Sequence, residues 1–442
     1  MPDGFCGAGA TAFERNVKME KTRKELLPGV FLTILHTDKF KTNCLSLSLI
    51  RPLCREEAAL NALLPDVMLR GCGMCPDMTA ISAWLDQRYG AGIQSTVRKK
   101  GEVQAIGLFL DYINERYTLE GENLTEDICR LLGSFVMDPV LENGAFRSDY
   151  VEGEKINLIN AIASQINDKR TFASIRLREE MFRDEPYGVS KYGSAEDVAA
   201  ITPEVLYAHY QNILATSQIE LIFTGDADTV CLENTLREVF ANLPRQTLVK
   251  TGTIPGKMPE TVRNITEKMD VTQGKLVMGF RTGITAADPM YPALLMLNGV
   301  YGGSLTSKLF MNVREKLSLC YYASSGIDRM KGVMVVSSGV DTQQYETARK
   351  EILHQLDACL QGNITEDELE STRSYLISSL KTGEDSPYQL DDFQLGQEIG
   401  GYDYTAESLA ESLKTVTIPE IQAAARRLKL DTVYFLCGEV EA

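Results

Sequence analysis

Histidine is the side chain that most often binds a catalytic metal, and this chain of 442 residues contains only three: His36, His209 and His354. A helix binds zinc through two imidazoles only when they lie about one turn apart, as in His-Glu-x-x-His. No two of these histidines are close in sequence, so no helix presents such a pair. A site assembled from distant histidines stays open, although His209 lies between Tyr207 and Tyr210 on an amphipathic helix and His36 ends a strand, both ordinary structural positions.

The ten cysteines are the next candidates for chemistry. They are scattered, and several lie inside apolar runs, a pattern typical of buried, reduced thiols in a cytoplasmic protein. Cys72 and Cys75 form the one close pair, but a zinc or redox role needs a second such pair or a thioredoxin-like setting. The sequence also has no Gly-x-Ser-x-Gly elbow, phosphate loop or dinucleotide fingerprint, so an enzyme using other chemistry is the least favoured interpretation.

Charge and hydropathy exclude two classes of partner. The 61 acidic residues outnumber the 45 basic ones and give a net charge of −16, so nucleic acid and anionic membrane surfaces are repelled on average. No apolar run approaches the roughly 18 residues that cross a bilayer, and the first 20 residues lack the apolar core of a secretion signal. We therefore expect a cytoplasmic protein.

The chain repeats itself once, at an offset of 231 positions. Three pairs of segments match in register, and both halves close with a helix that begins Pro-Glu, at Pro203 and Pro419, followed by an apolar strand. The matching segments are Arg98–Gly101 with Arg329–Gly332, Ala62–Leu64 with Ala293–Leu295, and Gly71 with Gly302. This pattern predicts two homologous domains, at 1–243 and 271–442, joined by a proline-containing linker at 244–270.

Both halves show the same order of strand-like and helix-like patterns. Helices are predicted at 57–70, 78–89, 125–135, 148–167 and 172–183 in the first half, and at 289–300, 305–316, 343–360, 365–381 and 418–428 in the second. Strands and helices mix without strict alternation. The predicted fold class is therefore α+β, with two homologous domains that each pack helices on one face of a mostly antiparallel sheet.

The second half carries a motif that resembles a known family. Gly302–Phe310, followed by Val313–Leu317 and Cys320-Tyr321, is similar to the second-domain motif of the pitrilysin, insulinase and mitochondrial-processing-peptidase family. The resemblance extends over roughly residues 25 to 440. It implies half of a peptidase clamshell, and Leu85–Gly92 with Lys99-Lys100-Gly101 resembles the inactive member of a bacterial pair.

Active members of that family bind zinc through His-x-x-Glu-His on a first-domain helix, where the glutamate polarises the attacking water. Aligned by Gly71, this motif falls on Ala62-Leu63-Leu64-Pro65-Asp66, so both histidines and the glutamate are missing. Asp66 alone retains a ligating atom, and Pro65 also removes a backbone donor. The third ligand of the family would be Glu152 or Glu154, for which solvated helix-face carboxylates are the favoured interpretation. We expect no metal and no cofactor in this chain.

The resemblance also implies that Arg314 and Tyr321, seven residues apart, hold the substrate backbone and the tetrahedral oxyanion. A guanidinium and a phenol donate to oxygens that become more negative as water adds to the carbonyl. The alternative is a surface ion pair for Arg314 and the start of a buried strand at Tyr321, with Tyr322 as a second candidate for the phenol. Gly302-Gly303-Ser304 is either a flexible substrate-contacting loop or a helix C-cap and turn.

These residues lead to two hypotheses about function. The first is a non-catalytic subunit of a two-chain zinc peptidase, which binds unfolded peptide and supplies Arg314 and Tyr321 to a zinc-bearing sister chain. Zinc is then expected only in that partner, and the lone chain is not expected to be an enzyme, with a homodimer as its alternative assembly. The second is an inactive scaffold or peptide-binding protein with the same fold.

Overall fold

The computed structural model describes residues 19–438, so the first 18 residues, on which most of the secretion-signal argument rests, lie outside the described part. A six-stranded sheet holds the strands of the first half in the order β1-β2-β8-β3-β5-β4. Only β2 and β8 are parallel neighbours. The strands of this half are β1 (Glu20–Leu27), β2 (Val30–His36), β3 (Thr42–Pro52), β4 (Gly92–Lys100), β5 (Val103–Ile113), the short pair β6 (Leu141–Glu142) and β7 (Ala145–Phe146), and β8 (Gln218–Gly225).

A five-stranded sheet in the order β11-β12-β10-β13-β9 forms the second half, again antiparallel except for one pair, β13 and β9. Its strands are β9 (Arg263–Lys268), β10 (Gly274–Arg281), β11 (Cys320–Asp328), β12 (Val333–Val340) and β13 (Lys429–Cys437). Strand β9 lies inside the segment 244–270 that the sequence suggested as a linker. It adds to the far edge of the sheet with the register Tyr434↔Ile265.

Helices cover the sheets. They are α1 (Arg55–Met68), α2 (Met78–Asp86), α3 (Leu124–Met137), α4 (Ser148–Ser164), α5 (Lys169–Met181), α6 (Ala195–Ala199), α7 (Pro203–Thr216), α8 (Thr229–Val239), α9 (Tyr291–Asn298), α10 (Tyr345–Leu360), α11 (Glu366–Gly383), α12 (Pro387–Gly400), α13 (Ala406–Thr415) and α14 (Ile418–Arg427). Two wide helical turns, Gly299–Gly303 and Leu309–Lys316, follow α9. None of the helices in residues 19–438 is long and apolar enough to cross a membrane.

Each sheet is covered on both faces, and one of the covering helices comes from the other half. Leu390 and Leu395 of α12 pack on the first sheet against residues such as Ile222, whereas Leu221 beside it faces the helices of its own half. In the same way, Leu177 of α5 packs on the second sheet. Because both faces are covered, central strands such as β3 are buried along almost their whole length.

The repeated basic turns lie where the two halves meet. Lys331, with a side chain only 1% exposed, places its Nζ 2.6 Å from Glu102 Oε1 and 2.8 Å from Glu185 Oε2. Arg98 in turn forms a buried ion pair with Asp391 of α12, at 2.5 Å. In the sequence these positions are stretches of basic residues, but in the fold Arg98, Lys100 and Lys331 pair with carboxylates inside the contact between the halves.

The α+β class with mostly antiparallel sheets is confirmed. The structure adds two exchanged helices, α5 and α12, each of which packs on the sheet of the other half. The sequence suggested helices on one face of each sheet only. The predicted helix 305–316 is shorter in the structure, where residues 304–307 form a turn. The helical part, Leu309–Lys316, has the wide pattern that links Leu317 N–H to Asn312 O at 3.1 Å.

Candidate functional site

The segment that aligns with the zinc motif lies inside the hydrophobic core. Ala62, Leu63 and Leu64 are each at most 1% exposed and belong to the main apolar cluster of the first half. Pro65 is also buried, and α1 continues past it, with Leu69 N–H donating to Pro65 O. Aliphatic packing therefore occupies the helix face that would present metal ligands.

Asp66 is the one ligand-type side chain in this segment, and it is engaged locally. It is half-buried and accepts a hydrogen bond from Ser95 of β4. Burial raises the pKa of Asp66, and the charge of Glu154 raises it further. Glu154 itself pairs with Arg70 at 3.2 Å, which balances one of the two carboxylates.

No group of three or more His, Cys, Asp or Glu residues within 19–438 is arranged to hold a metal ion. Glu152, the other candidate for a third ligand, is exposed and pairs with Lys155 on its own helix at 3.0 Å. His209 is buried, with Nε2 2.7 Å from Asn61 Oδ1, and burial lowers its pKa to about 4. His36 lies half-exposed 3.9 Å from Asp226, and His354 is exposed on α10.

Arg314 and Tyr321 lie on either side of a tight turn that leads from the wide helical turn into β11. The side chain of Arg314 is 41% exposed, with Nε 3.4 Å from Glu315 and its guanidinium 4.6 Å from the ring of Phe310. Tyr321 is 71% exposed at the start of β11. Both residues therefore present donor groups to solvent at the same end of the second sheet.

The backbone between them is constrained. Ser318 has a φ of 50°, a left-handed conformation that is unusual for a residue other than glycine. The hydrogen bonds Ser318 N–H to Arg314 O and Leu319 N–H to Val313 O close the turn. The β11–β12 register then shifts between Cys320 and Tyr322, which makes Tyr321 the residue of a bulge. Bulges of this kind change the direction of a side chain and are common beside active sites.

Tyr322 points elsewhere. The guanidinium of Arg170, on α5, lies 4.3 Å from its ring, and the Tyr322 hydroxyl is buried without a hydrogen-bond partner among the described residues. Burial raises the pKa of this phenol, so it remains a donor at neutral pH. Tyr322 is therefore the more enclosed of the two candidate phenols, and Tyr321 the more accessible.

A cavity of about 370 Å³ opens between α5 and the strands β11 and β12. Arg170 and Arg178 line it, and within the described residues neither has a carboxylate within 4.0 Å. Arg170 donates to Ser324 Oγ at 2.9 Å, and the hydroxyl of Ser337, beside that of Tyr322, forms no hydrogen bond of normal geometry with the part of the chain that the structure describes. The lining therefore offers mainly donors, which suit the carbonyl and carboxylate oxygens of a peptide.

Gly302 and Gly303 are packed closely. A Cβ on Gly302 would lie 2.7 Å from Leu309 Cδ1 and 2.8 Å from the backbone nitrogen of Ser325, and one on Gly303 would lie 2.6 Å from Asn298 Nδ2. Neither glycine has a positive φ. Ser304 bonds back to Gly299 O at 3.2 Å. This geometry accounts for both glycines by close approach of the backbone to neighbouring groups.

Sequence reasoning did not identify Arg170 or Arg178. Both belong to the first half, about 150 residues before the strands that they face. Their only local sign is a pair of arginines two turns apart on a helix, which is common on solvated surfaces. The exchange of α5 onto the second sheet is what brings them to this place.

Comparison with known proteins also finds similarity to peptidase-like proteins described as inactive. Residues 200–376 match a family model described as the Peptidase M16 inactive domain. The chain is 34% identical over 411 residues to the Probable inactive metalloprotease YmfF of Bacillus subtilis (strain 168), which covers 93% of this chain and 96% of that protein.

Solved structures share the fold. A conserved protein from Enterococcus faecalis V583 superposes with a TM-score of 0.88 at 30% identity, covering 96% of this chain and 99% of the other. The periplasmic protease PqqL from Escherichia coli has a TM-score of 0.71 at 13% identity, and the match covers 99% of this chain but 48% of that one. The fold of this chain therefore also occurs as about half of a longer polypeptide.

Proposed function

The chain belongs to the M16 peptidase family, and from this membership we propose that it is the non-catalytic subunit of a two-chain zinc peptidase. In this proposal, a sister chain holds the zinc and its activated water. The present chain closes a chamber around an unfolded peptide and supplies Arg314 and Tyr321 to the reacting carbonyl. The cysteines of residues 19–438 are all free, which fits a cytoplasmic complex.

The observation that carries the proposal is a contrast between two places in the same chain. At Ala62–Asp66 aliphatic core fills the helix face, and Asp66, which accepts a hydrogen bond from Ser95, is the only ligand-type side chain of the segment. At Arg314 and Tyr321, two donor side chains are accessible beside a constrained turn. A guanidinium and a phenol stabilise negative charge that develops on a carbonyl oxygen but do not generate a nucleophile. The missing nucleophile must come from another chain.

Substrate binding by strand addition fits the same end of the molecule. Strand β11 is one of the two outer strands of the second sheet, the other being β9, and its outer edge pairs with no strand of the described residues, so an extended peptide could add there. Tyr321 begins this strand, and the donor-lined cavity lies beneath it. We propose that backbone pairing along β11 supplies affinity with little sequence preference, and that Arg170 and Arg178 bind substrate oxygens.

A scaffold without a role in proteolysis is the second candidate, and one observation favours it. Arg314 stacks on Phe310 and lies near Glu315, contacts that a purely structural arginine also makes. The two candidates differ in one respect: a scaffold tolerates loss of both donors.

The test is reconstitution. The chain is mixed with a two-domain family member that carries His-x-x-Glu-His, from the same organism, and cleavage of a quenched fluorescent peptide is followed. We expect neither chain alone to cleave and the mixture to do so. Arg314→Ala should lower kcat about 10²- to 10³-fold, as loss of one oxyanion donor does, with little change in assembly measured by light scattering. Tyr321→Phe should act in the same direction.

Matched controls come from the same surfaces. Lys316→Ala removes an exposed cation from the same helical turn, and Tyr375→Phe removes the hydroxyl of a phenol that is 48% exposed on α11. Both controls should retain wild-type turnover. Equal turnover of wild type and Arg314→Ala in an assembled, active mixture would refute the transition-state role, and an inactive but assembled mixture would favour the scaffold.

A further inference from the structure

Two cations of the repeated basic turns have no carboxylate partner among residues 19–438. Lys99 donates instead to the backbone oxygens of Tyr187 and Val189, and the other cation is Arg329. Lys331 pairs with Glu102 and Glu185, and Arg98 pairs with Asp391. Arg329, in the turn between β11 and β12, has no carboxylate within 4.0 Å among residues 19–438. Its guanidinium is instead placed 5.1 Å from the ring of Phe393 and 6.0 Å from that of Tyr402. In a protein with net charge −16, an enclosed arginine without an anion calls for a specific explanation.

Arg329 lines a cavity of about 320 Å³, roughly the volume of ten water molecules in the liquid. The cavity lies between α11, α12 and the start of α13 on one side and the first two strands of the other half on the other. Most of its wall is apolar or aromatic, with contributions from Leu35, Leu380, Leu390, Phe393, Tyr404 and Ala406. Pockets of this size, apolar with a few fixed polar groups, are typical of small-ligand sites.

Two phenols add unsatisfied polar atoms close to the guanidinium. Tyr404 lines the cavity and Tyr402 lies just outside its lining; both hydroxyls are buried without a hydrogen bond of normal geometry among the described residues, and the two rings stack at 5.0 Å. The ring of Tyr291 stacks on that of Tyr404 at 6.1 Å, and its neutral phenol lies beside both Tyr404 and Arg329. Tyr402 Oη and Arg329 Nη2 lie 3.2 Å and 3.4 Å from the place that a Cβ on Gly396 would occupy. Arginine and phenol therefore lie side by side against a glycine of α12. Buried polar groups without partners are rare in native proteins, so this group of donors indicates a missing acceptor.

The acidic residues of the wall do not fill that role. Asp392 pairs with Lys100 at 2.6 Å, and Asp403 pairs with Lys21 at 3.0 Å. Glu384 also lines the cavity, half-buried and without a salt bridge, but its carboxylate is more than 4.0 Å from Arg329. The available cation thus has no anion of the described chain to bind.

We propose that this cavity binds a small apolar monocarboxylate, with its carboxylate on the Arg329 guanidinium and the Tyr404 hydroxyl and its apolar body among Leu380, Leu390 and Phe393. Arginine binds carboxylates through charge-assisted hydrogen bonds, which are stronger in an enclosed, apolar setting. Two kinds of ligand carry a carboxylate on an apolar body of this size: a medium-chain fatty acid and the C-terminal apolar residue of a peptide. The site belongs to this chain alone and does not depend on a sister subunit.

The experiment is calorimetric titration of the full chain with decanoate and with decan-1-ol, a neutral probe of the same length. We expect decanoate to bind with one site per chain, at least about tenfold more tightly than decan-1-ol, the ratio that corresponds to one charge-assisted hydrogen bond. Arg329→Met keeps the apolar stem and removes the charge, so it should make the two probes bind alike. Absence of decanoate binding, or equal affinity of the wild type for both probes, would overturn the proposal.

Two further variants keep the test informative if Arg329→Met does not fold. Tyr404→Phe should weaken decanoate binding about two- to tenfold and leave decan-1-ol unchanged. Glu384→Gln removes a like charge from the wall and should tighten decanoate binding only. A decrease with Glu384→Gln, or no change in decanoate binding with Tyr404→Phe, would contradict the proposed pose.

A second titration identifies the source. The peptide Ala-Leu-Phe with a free carboxylate is compared with its C-terminal amide. Tighter binding of the free peptide than of decanoate, with loss of affinity in the amide, assigns the site to peptide C-termini. Tighter binding of decanoate assigns it to fatty acids. Both results support a carboxylate site, whereas equal binding of peptide and amide together with absent decanoate binding overturns it.

Discussion

Replacing Lys331 by methionine should destabilise the protein strongly, because this buried lysine joins the two halves. Its Nζ donates to Glu102 at 2.6 Å, to Glu185 at 2.8 Å and to the backbone oxygen of Ile254 at 2.7 Å. Glu185 keeps a second cation, Arg281, at 2.8 Å after the change. The Glu102 side chain is 8% exposed, and its one remaining donor within residues 19–438 is the N–H of Ile254, at 3.1 Å. The variant therefore leaves one buried, unpaired carboxylate.

Breaking a buried ion pair from one side costs about 3–5 kcal/mol. We expect Lys331→Met to lower the free energy of unfolding, measured by urea denaturation with far-UV circular dichroism, by about that amount. Adding Glu102→Gln removes the stranded charge and should restore about 1–3 kcal/mol. Lys414→Met, which breaks an exposed pair with Glu411, is the control and should change stability by less than about 0.5 kcal/mol. A loss below about 1 kcal/mol for Lys331→Met, or no recovery in the double variant, would refute this reasoning.

Two other predictions concern stability. Burial lowers the pKa of His209 to about 4, so between about pH 6.5 and pH 4 the unfolded chain binds a proton at this residue that the folded chain does not. The free energy of unfolding should therefore fall as the pH drops, by on the order of 3 kcal/mol from this group. In urea titrations at several pH values, His209→Gln should remove that part of the pH dependence, and parallel pH profiles of variant and wild type would contradict the prediction. Gly302→Ala should lower the free energy of unfolding by about 1–3 kcal/mol, because the new Cβ would lie 2.7 Å from Ser325 Oγ. Gly326→Ala on β11 is the control and should be nearly neutral, since no atom lies within 4 Å of the Cβ position. Equal melting temperatures for the two variants in thermal unfolding would show that the packing at Gly302 is not tight.

Local patterns in the sequence were sufficient for most elements. The closing helices α7 and α14 begin at Thr-Pro-Glu and Thr-Ile-Pro-Glu segments. In α7 the Thr202 hydroxyl accepts a hydrogen bond from Val205 N–H, and in α14 the Glu420 carboxylate accepts one from Thr417 N–H. Strand β3 alternates at period 2, and α3 has an apolar face. These signals act over a few residues, which is why they can be identified in one sequence.

Edge strands and exchanged helices could not be predicted in the same way. Strands β1 and β9 are mostly charged and polar, since edge strands are exposed on one side, and they have no strong apolar alternation. The apolar face of α12 predicts a buried helix but does not identify the sheet on which it packs. The two arginines of α5 reach the cavity under β11 only through that exchange. The division into two homologous domains stays a prediction.

For the candidate site, too, the sequence was sufficient for some features and not for others. The loss of both histidines and of the glutamate at Ala62, Pro65 and Asp66 could be seen from the sequence alone, because it is a matter of residue types. The roles of Arg314 and Tyr321 remain predictions, since two exposed donors at the end of a strand act on a substrate only when another chain brings one.

We predict that this chain holds no hydrolytic metal centre of its own. Equilibrium dialysis of the purified, tag-free chain against zinc, followed by elemental analysis, measures the bound zinc. We predict no stoichiometric zinc in wild type and the same result for Asp66→Asn and Glu154→Gln. One tightly bound zinc per chain that is lost in either variant would contradict the account.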